Sequence, residues 1–240
     1  MRFSLIDQTQ PDLVVGVDGC REGWLAVIAA PDLSGARAAV YGDFATLLNA
    51  LSNALVVVDM PIGLVSGDEG RLADAAARAR IGPRRSSVFT PPCRAALAAA
   101  DYPAANALQR RMTGKGLSKQ SWMIAPKMRE VDAAINPALQ HRVREGHPEL
   151  AFAVQAGAPM AAHKTKLHGV YERLRVLHGL GLDPAALALD LPLGIDAAVD
   201  DLLDACILAH VAARCLSGEA IRFPEAPATD VHGLVMEMWA

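Results

Sequence analysis

The sequence predicts an α/β domain built on a mixed sheet, and three observations predict it. Two valine-rich runs, LVVGVD (13–18) and ALVVVDM (54–60), have the composition of buried strands, and each ends at an aspartate. Between them lie two further strand-like segments and one amphipathic helix, an order that places the second valine run parallel to the first. Near the C-terminus, Asp196–Leu216 reads as a helix that is apolar or small almost all round, and therefore buried.

Taken in order, residues 1–12 read as a polar arm ending near Pro11. The first strand (13–18) and WLAVIAA (24–30) form a hairpin joined by a loop of about six residues. ARAAVY (36–41), after the PDLSG turn, adds a third antiparallel strand, and DFATLLNAL (43–51) is a helix that starts on an Asp cap. ALVVVDM follows as the parallel strand. From residue 66 to about 138 the chain becomes a helical insertion: GRLADAAARARIG is a helix basic on one face, RRSSVFTPPC a loop, and AALAAADYPAANALQRRM an alanine-rich helix. TGKGLSKQSWMIAPKMREVDAAI then gives a loop and one or two helices bounded near Pro126. No linker-like stretch bounds this region, so residues 13–240 read as one domain. HRVREGHPE (141–149) contains a strand leading to Glu149, 163–180 is a basic helix ending at a glycine, and 183–190 is a short helix or turn. The tail DVHGLVMEMWA adds an edge strand.

Composition restricts the function classes. The 240 residues are 52% hydrophobic and 20% charged with a net charge of -3, so no global basic field marks the chain as a nucleic-acid binder. Cys20, Cys93, Cys206 and Cys215 form no CxxC pair and read as free thiols of a reducing compartment. The N-terminus lacks the apolar core of a signal peptide, and no run of about 18 apolar residues spans a membrane. A cytoplasmic location is the expectation; oligomeric state is open.

The chemistry is carried by carboxylates. Asp204 shares a helix face with Asp200 and Asp201, because residues three and four apart are neighbours. Acids on a buried helix repel one another and lose hydration, and a hard divalent cation is one compensation. The rival reading is a helix start: the macrodipole favours acids in the first turn, and Asp196 has the character of an N-cap. Asp18 and Asp59 close two parallel strands, so both reach the carboxyl edge where α/β sheets bind ligands. Asp18-Gly19 is equally a turn signature, and Glu149 after His147-Pro148 equally a first-turn acid.

Two donor-rich loops accompany the acids. Arg84, Arg85, Ser86 and Ser87 form one, and Gly114, Lys115, Gly116, Ser118, Lys119 and Gln120 the other. The second contains GKG without the spacing of a P-loop. With Lys127, Lys164 and Lys166 they would make a positive rim for a phosphodiester backbone, against the alternative of solvated basic faces. Trp24 and Trp122 are offered as base-stacking partners, or as core aromatics.

GVDGCREGW (16–24), DMPIGL (59–64), RRSSVFTPP (84–92), GLSKQSW (116–122), PKMREVD (126–132), HPELAF (147–152) and DDLLDA (200–205) together resemble an uncharacterised family of predicted nucleases with an RNase H-like fold. The resemblance implies a five-stranded mixed sheet, three antiparallel strands then two parallel, with helices on both faces. It also implies Mg²⁺ or Mn²⁺ held by Asp18, Asp59, Asp201 and Asp204, with the last two similar to the final-helix pair of Holliday-junction resolvases. Glu149 is then a supporting ligand or water-orienting base, and the partner is nucleic acid, RNA or DNA. Two other functions stay open: a nucleotide- or sugar-phosphate-binding protein related to actin-like ATPases, and a non-catalytic nucleic-acid-binding protein that keeps the fold.

Overall fold

The computed structural model describes residues 11–240; the expected polar arm lies almost wholly outside them. Strands β1 (Leu13–Cys20), β2 (Gly23–Ala29) and β3 (Arg37–Tyr41) form an antiparallel meander. After helix α1 (Phe44–Ala50), β4 (Ala54–Val58) returns parallel to β1, and β5 (Val143–Glu145) extends the sheet beside β4. The order is β3-β2-β1-β4-β5, a mixed five-stranded sheet.

Local chemistry explains the opening elements. Asp43 caps α1, its carboxylate accepting from the Thr46 amide at 2.8 Å. The first hairpin is tighter than the sequence suggests: β1 runs past Asp18 to Cys20, which pairs with Gly23, leaving Arg21 and Glu22 as the turn. Asp18 is therefore a strand residue paired opposite Leu25 and not a turn residue.

The insertion comprises α2 (Leu72–Ile81), a 3₁₀ turn (Gly82–Ser87), α3 (Arg94–Leu97), α4 (Tyr102–Thr113), α5 (Lys119–Met123) and α6 (Ala125–Ala134). The expected alanine-rich helix is two helices, because Asp101 caps a new start at Tyr102 by accepting from the Ala104 amide. Pro126 sits in the first turn of α6, where its missing N–H costs nothing.

The chain then forms α7 (Pro148–Gln155), α8 (Leu167–Gly179), α9 (Pro184–Leu189) and α10 (Val199–Ser217). The strand expected to lead into Glu149 ends at Glu145, and Glu149 lies in the first turn of α7. The C-terminal tail pairs with a strand the sequence reading omitted. β6 (Arg222–Thr229) and β7 (Val235–Trp239) make a separate two-stranded sheet, joined to the main one by a bridge between Gly146 and Trp239.

The sheet separates two cores. Alternate residues Val14, Leu25, Val27, Leu55 and Val57 pack with α7 and α10 on one face. Val15, Val17, Trp24, Val56 and Val58 pack with α1 and α6 on the other. A smaller cluster, including Cys93, Ala96, Ala105 and Leu117, holds the insertion together.

Gly16 fixes the distance between α10 and β1. A Cβ there would lie 2.0 Å from the Ala205 carbonyl oxygen and 2.1 Å from the Ala209 amide nitrogen. Backbone cannot yield as a side-chain tip can, so the helix itself would have to move. Gly16→Ala should cost about 3 kcal/mol or more, read as a lower midpoint in chemical denaturation. A midpoint unchanged from wild type would mean that α10 does not rest on this strand.

Candidate metal centre

Three elements bring three carboxylates together. Gly16 faces α10, and side chains alternate along a strand, so Asp18 faces the same helix two residues on. β4 pairs in parallel with β1, Val58 beside Val17, and the Asp59 amide continues the ladder by donating to the Val17 carbonyl at 2.9 Å. Asp59 therefore emerges abreast of Asp18. Asp204 precedes Ala205, the residue of α10 that touches Gly16. One carboxylate oxygen from each of Asp18, Asp59 and Asp204 lies within 4.8 Å of the others.

The environment penalises the charges. Asp18 and Asp204 are buried, at 8% and 2% exposure, and Asp59 is half-buried. Burial raises the Asp18 carboxyl well above the usual range, with Asp59 and Asp204 adding repulsion. Burial also raises Asp59, against the opposing pull of His147 and Lys164. Asp204 is pushed up to about 7 by burial, Lys164 offsetting only part of it.

Among the described residues, the side-chain cation that enters this group is Lys164, carried by the segment before α8. Its Nζ lies 2.6 Å from Asp204 Oδ2 and 3.0 Å from Asp200 Oδ2. Burial lowers the affinity of Lys164 for its proton, but Asp204, Asp18 and Asp200 outweigh that and hold it charged. The donor set fits a hard divalent ion such as Mg²⁺ or Mn²⁺: oxygen ligands from three elements, with more negative charge than one ammonium neutralises.

Several expected residues are placed differently. Asp201 is not among the three converging acids; its Oδ2 accepts from the Ala198 amide at 2.8 Å and closes the start of α10. It acts on Asp18 only by repulsion at a distance. The helix starts at Ala198, so Asp196 is not its cap; that side chain pairs with Arg21 at 2.7 Å.

Glu149 has both oxygens committed, Oε1 to Arg84 at 3.0 Å and Oε2 to Arg173 at 2.6 Å, so it is neither a free ligand nor a free base. Arg173 in turn donates to the carbonyls of Ala162 and Gly169, which fastens the segment that delivers Lys164. Arg84 is correspondingly an ion-pair partner of Glu149. Lys127 donates to the Gly23 carbonyl at 2.6 Å and lies over the Trp24 ring. Trp24 is fully buried against Phe44 and donates to Glu130, a core role. Arg85, Ser86, Lys119 and Lys166 are exposed, and Ser87 is half-buried with its hydroxyl donating to the Arg84 carbonyl.

Sequence reasoning missed a buried ionic group behind Asp59. Arg71 binds both oxygens of Glu145, one oxygen of Asp74 and the Ile62 carbonyl, while the Ile62 amide donates to Glu145 at 2.7 Å. This ties the loop after Asp59 to the end of β5. Burial raises Glu145 to about 7, with Arg71 opposing it. His147 caps α7, its Nδ1 accepting from the Leu150 amide and its Nε2 facing the Ser87 carbonyl at 3.3 Å. The position of Glu145 at a strand's carboxyl end is the signal that could have marked it.

Fold and site define a mixed α/β protein with a buried three-aspartate centre at the carboxyl ends of two parallel strands. The chain belongs to the family described as protein of unknown function (DUF429), whose model matches residues 16–229 and so spans the glycine and all three acids. No curated protein and no solved structure matches it. Among the described residues, no helix is long and apolar enough to cross a membrane.

Two expectations follow. The raised Asp204 carboxyl means that the folded chain binds a proton more tightly than the unfolded chain. Between about pH 4 and about pH 7, with EDTA present, wild type should therefore lose stability relative to Asp204→Asn as pH rises. Adding Mn²⁺ at pH 7.5 should restore it. Parallel pH profiles of the two proteins would contradict a strained buried acid. Separately, Glu149→Gln should destabilise by about 3–5 kcal/mol, because it leaves Arg173 buried without its counter-charge. A midpoint like wild type in urea denaturation would show that Glu149 does not anchor the Lys164 segment.

Proposed function

We propose that the protein is a divalent-metal-dependent nuclease of RNase H-like fold, hydrolysing phosphodiester bonds in nucleic acid. The observation that carries this reading is the convergence of Asp18, Asp59 and Asp204 within 4.8 Å at one sheet edge. A mixed five-stranded sheet with antiparallel and parallel strands, and a helix, α10, that packs on β1 and delivers an acid, support the reading.

On this reading Asp18, Asp59 and Asp204 would hold Mg²⁺ or Mn²⁺, which when bound would supply activation of water and polarisation of the phosphate oxygens. Lys164 favours the ionised form of Asp204 against burial and sets a positive charge beside the phosphate. The oxygen of water would bond to phosphorus and release a proton to solvent, the P–O bond to the leaving sugar oxygen would break, and that oxygen would take up a proton from solvent. The exposed Arg85, Lys119 and Lys166 lie in segments suited to the strand's other phosphates.

The test is incubation with labelled RNA, DNA and hybrid duplexes in Mn²⁺. Cleavage is expected, and Asp18→Asn should lower its rate by about 100-fold or more, since even outer-shell changes at metal sites cost 10–100-fold. Cleavage that persists in that variant comes from elsewhere and removes the assignment.

A further inference from the structure

A cavity of about 650 Å³ opens between α2 and the loop that joins α4 to α5, within the usual range for small-ligand pockets. Its lining includes Asp74, Arg78, Phe89, Lys115, Leu117 and Gln120. Gly114 to Gln120 is the GKGLSKQ segment, which the metal centre leaves without a role. The walls combine the Phe89 ring and apolar side chains with many polar ones, the acids Asp68 and Glu69 among them, so a flat ring and its hydrogen-bonding edge would both find partners.

Asp74 makes the pocket more than a hollow. Its side chain is 2% exposed, and Oδ1 accepts from Arg71 at 2.8 Å. Oδ2 is buried and has no hydrogen-bond partner among the described residues. It is turned toward Arg78, whose nearest nitrogen is 3.9 Å away and already donates to Thr90. A buried carboxylate oxygen without a donor is costly; it is sealed from solvent, so a ligand N–H would satisfy it once a neighbouring side chain, such as the part-exposed Arg78, swings aside.

The cavity also adjoins the metal centre. Arg71, Asp74 and Phe89 form a shared wall: they line the cavity on one side, and a narrow void lined by Asp59 and His147 on the other. Outside, Arg110, Arg111, Lys115 and Lys119 are exposed on the insertion around α4 and α5. A polyanion crossing this surface would have its backbone held by these cations while one base reaches inward.

We infer that this cavity takes a single unstacked nucleobase carrying an exocyclic amine, which donates to Asp74 while the ring packs against Phe89. The inference rests on the nuclease reading for its substrate. It names that substrate as a strand with at least one base outside a duplex.

The test measures binding without catalysis, by calorimetric titration of the full chain in EDTA with 5′-CMP, 5′-UMP and ribose 5-phosphate. CMP should bind saturably, and ribose 5-phosphate about tenfold more weakly or worse, since stacking alone supplies that much. UMP, with a carbonyl where CMP has its amine, should also bind more weakly than CMP. Ala75 is exposed and lines the cavity, so Ala75→Trp fills its mouth without disturbing the core. That variant should lose CMP binding by about tenfold or more while melting as wild type does. Absence of CMP binding, equal binding of all three ligands, equal CMP and UMP affinity, or an Ala75→Trp variant that binds CMP normally would each overturn the inference. The two readings fail separately: CMP binding in EDTA with no cleavage in Mn²⁺ removes the nuclease and keeps the pocket, whereas cleavage without CMP binding does the reverse.

Discussion

The contact on which the structure depends is backbone against backbone, where α10 lies on β1 at Gly16. Any side chain at that position would hold the helix away. With the helix seated there, Asp204 comes down beside Asp18, which is only two residues, roughly 6.6 Å, further along the strand. The parallel pairing of β4 sets Asp59 abreast of Asp18 independently of the helix. Three acids far apart in sequence thus meet because one residue lacks a side chain and one strand pair has fixed register. Gly146, just past β5, is also crowded, but there a Cβ would meet the side chains of Val57 and Leu208 and not backbone.

Two ionic groups, each spent on structure, support that meeting. Arg71 and Glu145 fasten the loop that follows Asp59. Glu149 and Arg173 fasten the segment that carries Lys164. In both, a buried arginine satisfies a carboxylate and a backbone carbonyl together, so charge is compensated and a loop is located by the same contacts. Burial raises Glu145 as it raises the acids at the centre, but the central acids also repel one another, since Asp18, Asp59 and Asp204 have one ammonium, Lys164, among them. The molecule therefore holds one cluster of like charges beside groups in which each carboxylate meets an arginine, and clustered acids in a buried setting are the pattern expected of a functional site.

Much of this was legible in the chain, and the failures share a cause. Valine runs, the Asp43 cap and the order of elements determine the sheet through local rules, so β1 to β4 and α1 follow from them. The buried stripe of α10 and the acids at Asp18, Asp59 and Asp204 were legible for the same reason. Asp201 was misplaced because helical spacing says which face a residue occupies but not where the helix begins. With the start at Ala198, its carboxylate is taken by a backbone amide. Glu149 and Arg84 were misread because their partners lie 24 and 65 residues away from Glu149, beyond any local pattern. Arg71 was hidden at the start of a helix that read only as basic on one face, and β6 in a segment containing two prolines and little alternation.

The charge at the centre bears on how many ions it would hold. With Asp18, Asp59 and Asp204 ionised and Lys164 protonated, two negative charges remain uncompensated, the charge of one divalent ion. Asp200 is shared with Lys164 and is half-buried, so water and salt screen it more than the other three. A second ion would need further acids, and the two that the motifs supplied, Asp201 and Glu149, are held by an amide and by two arginines. Freeing Glu149 would strand Arg173 in the core, and freeing Asp201 would open the first turn of α10. On the nuclease reading, the protein's own side chains therefore favour a single resident ion, with Lys164 supplying the second positive charge beside the phosphate.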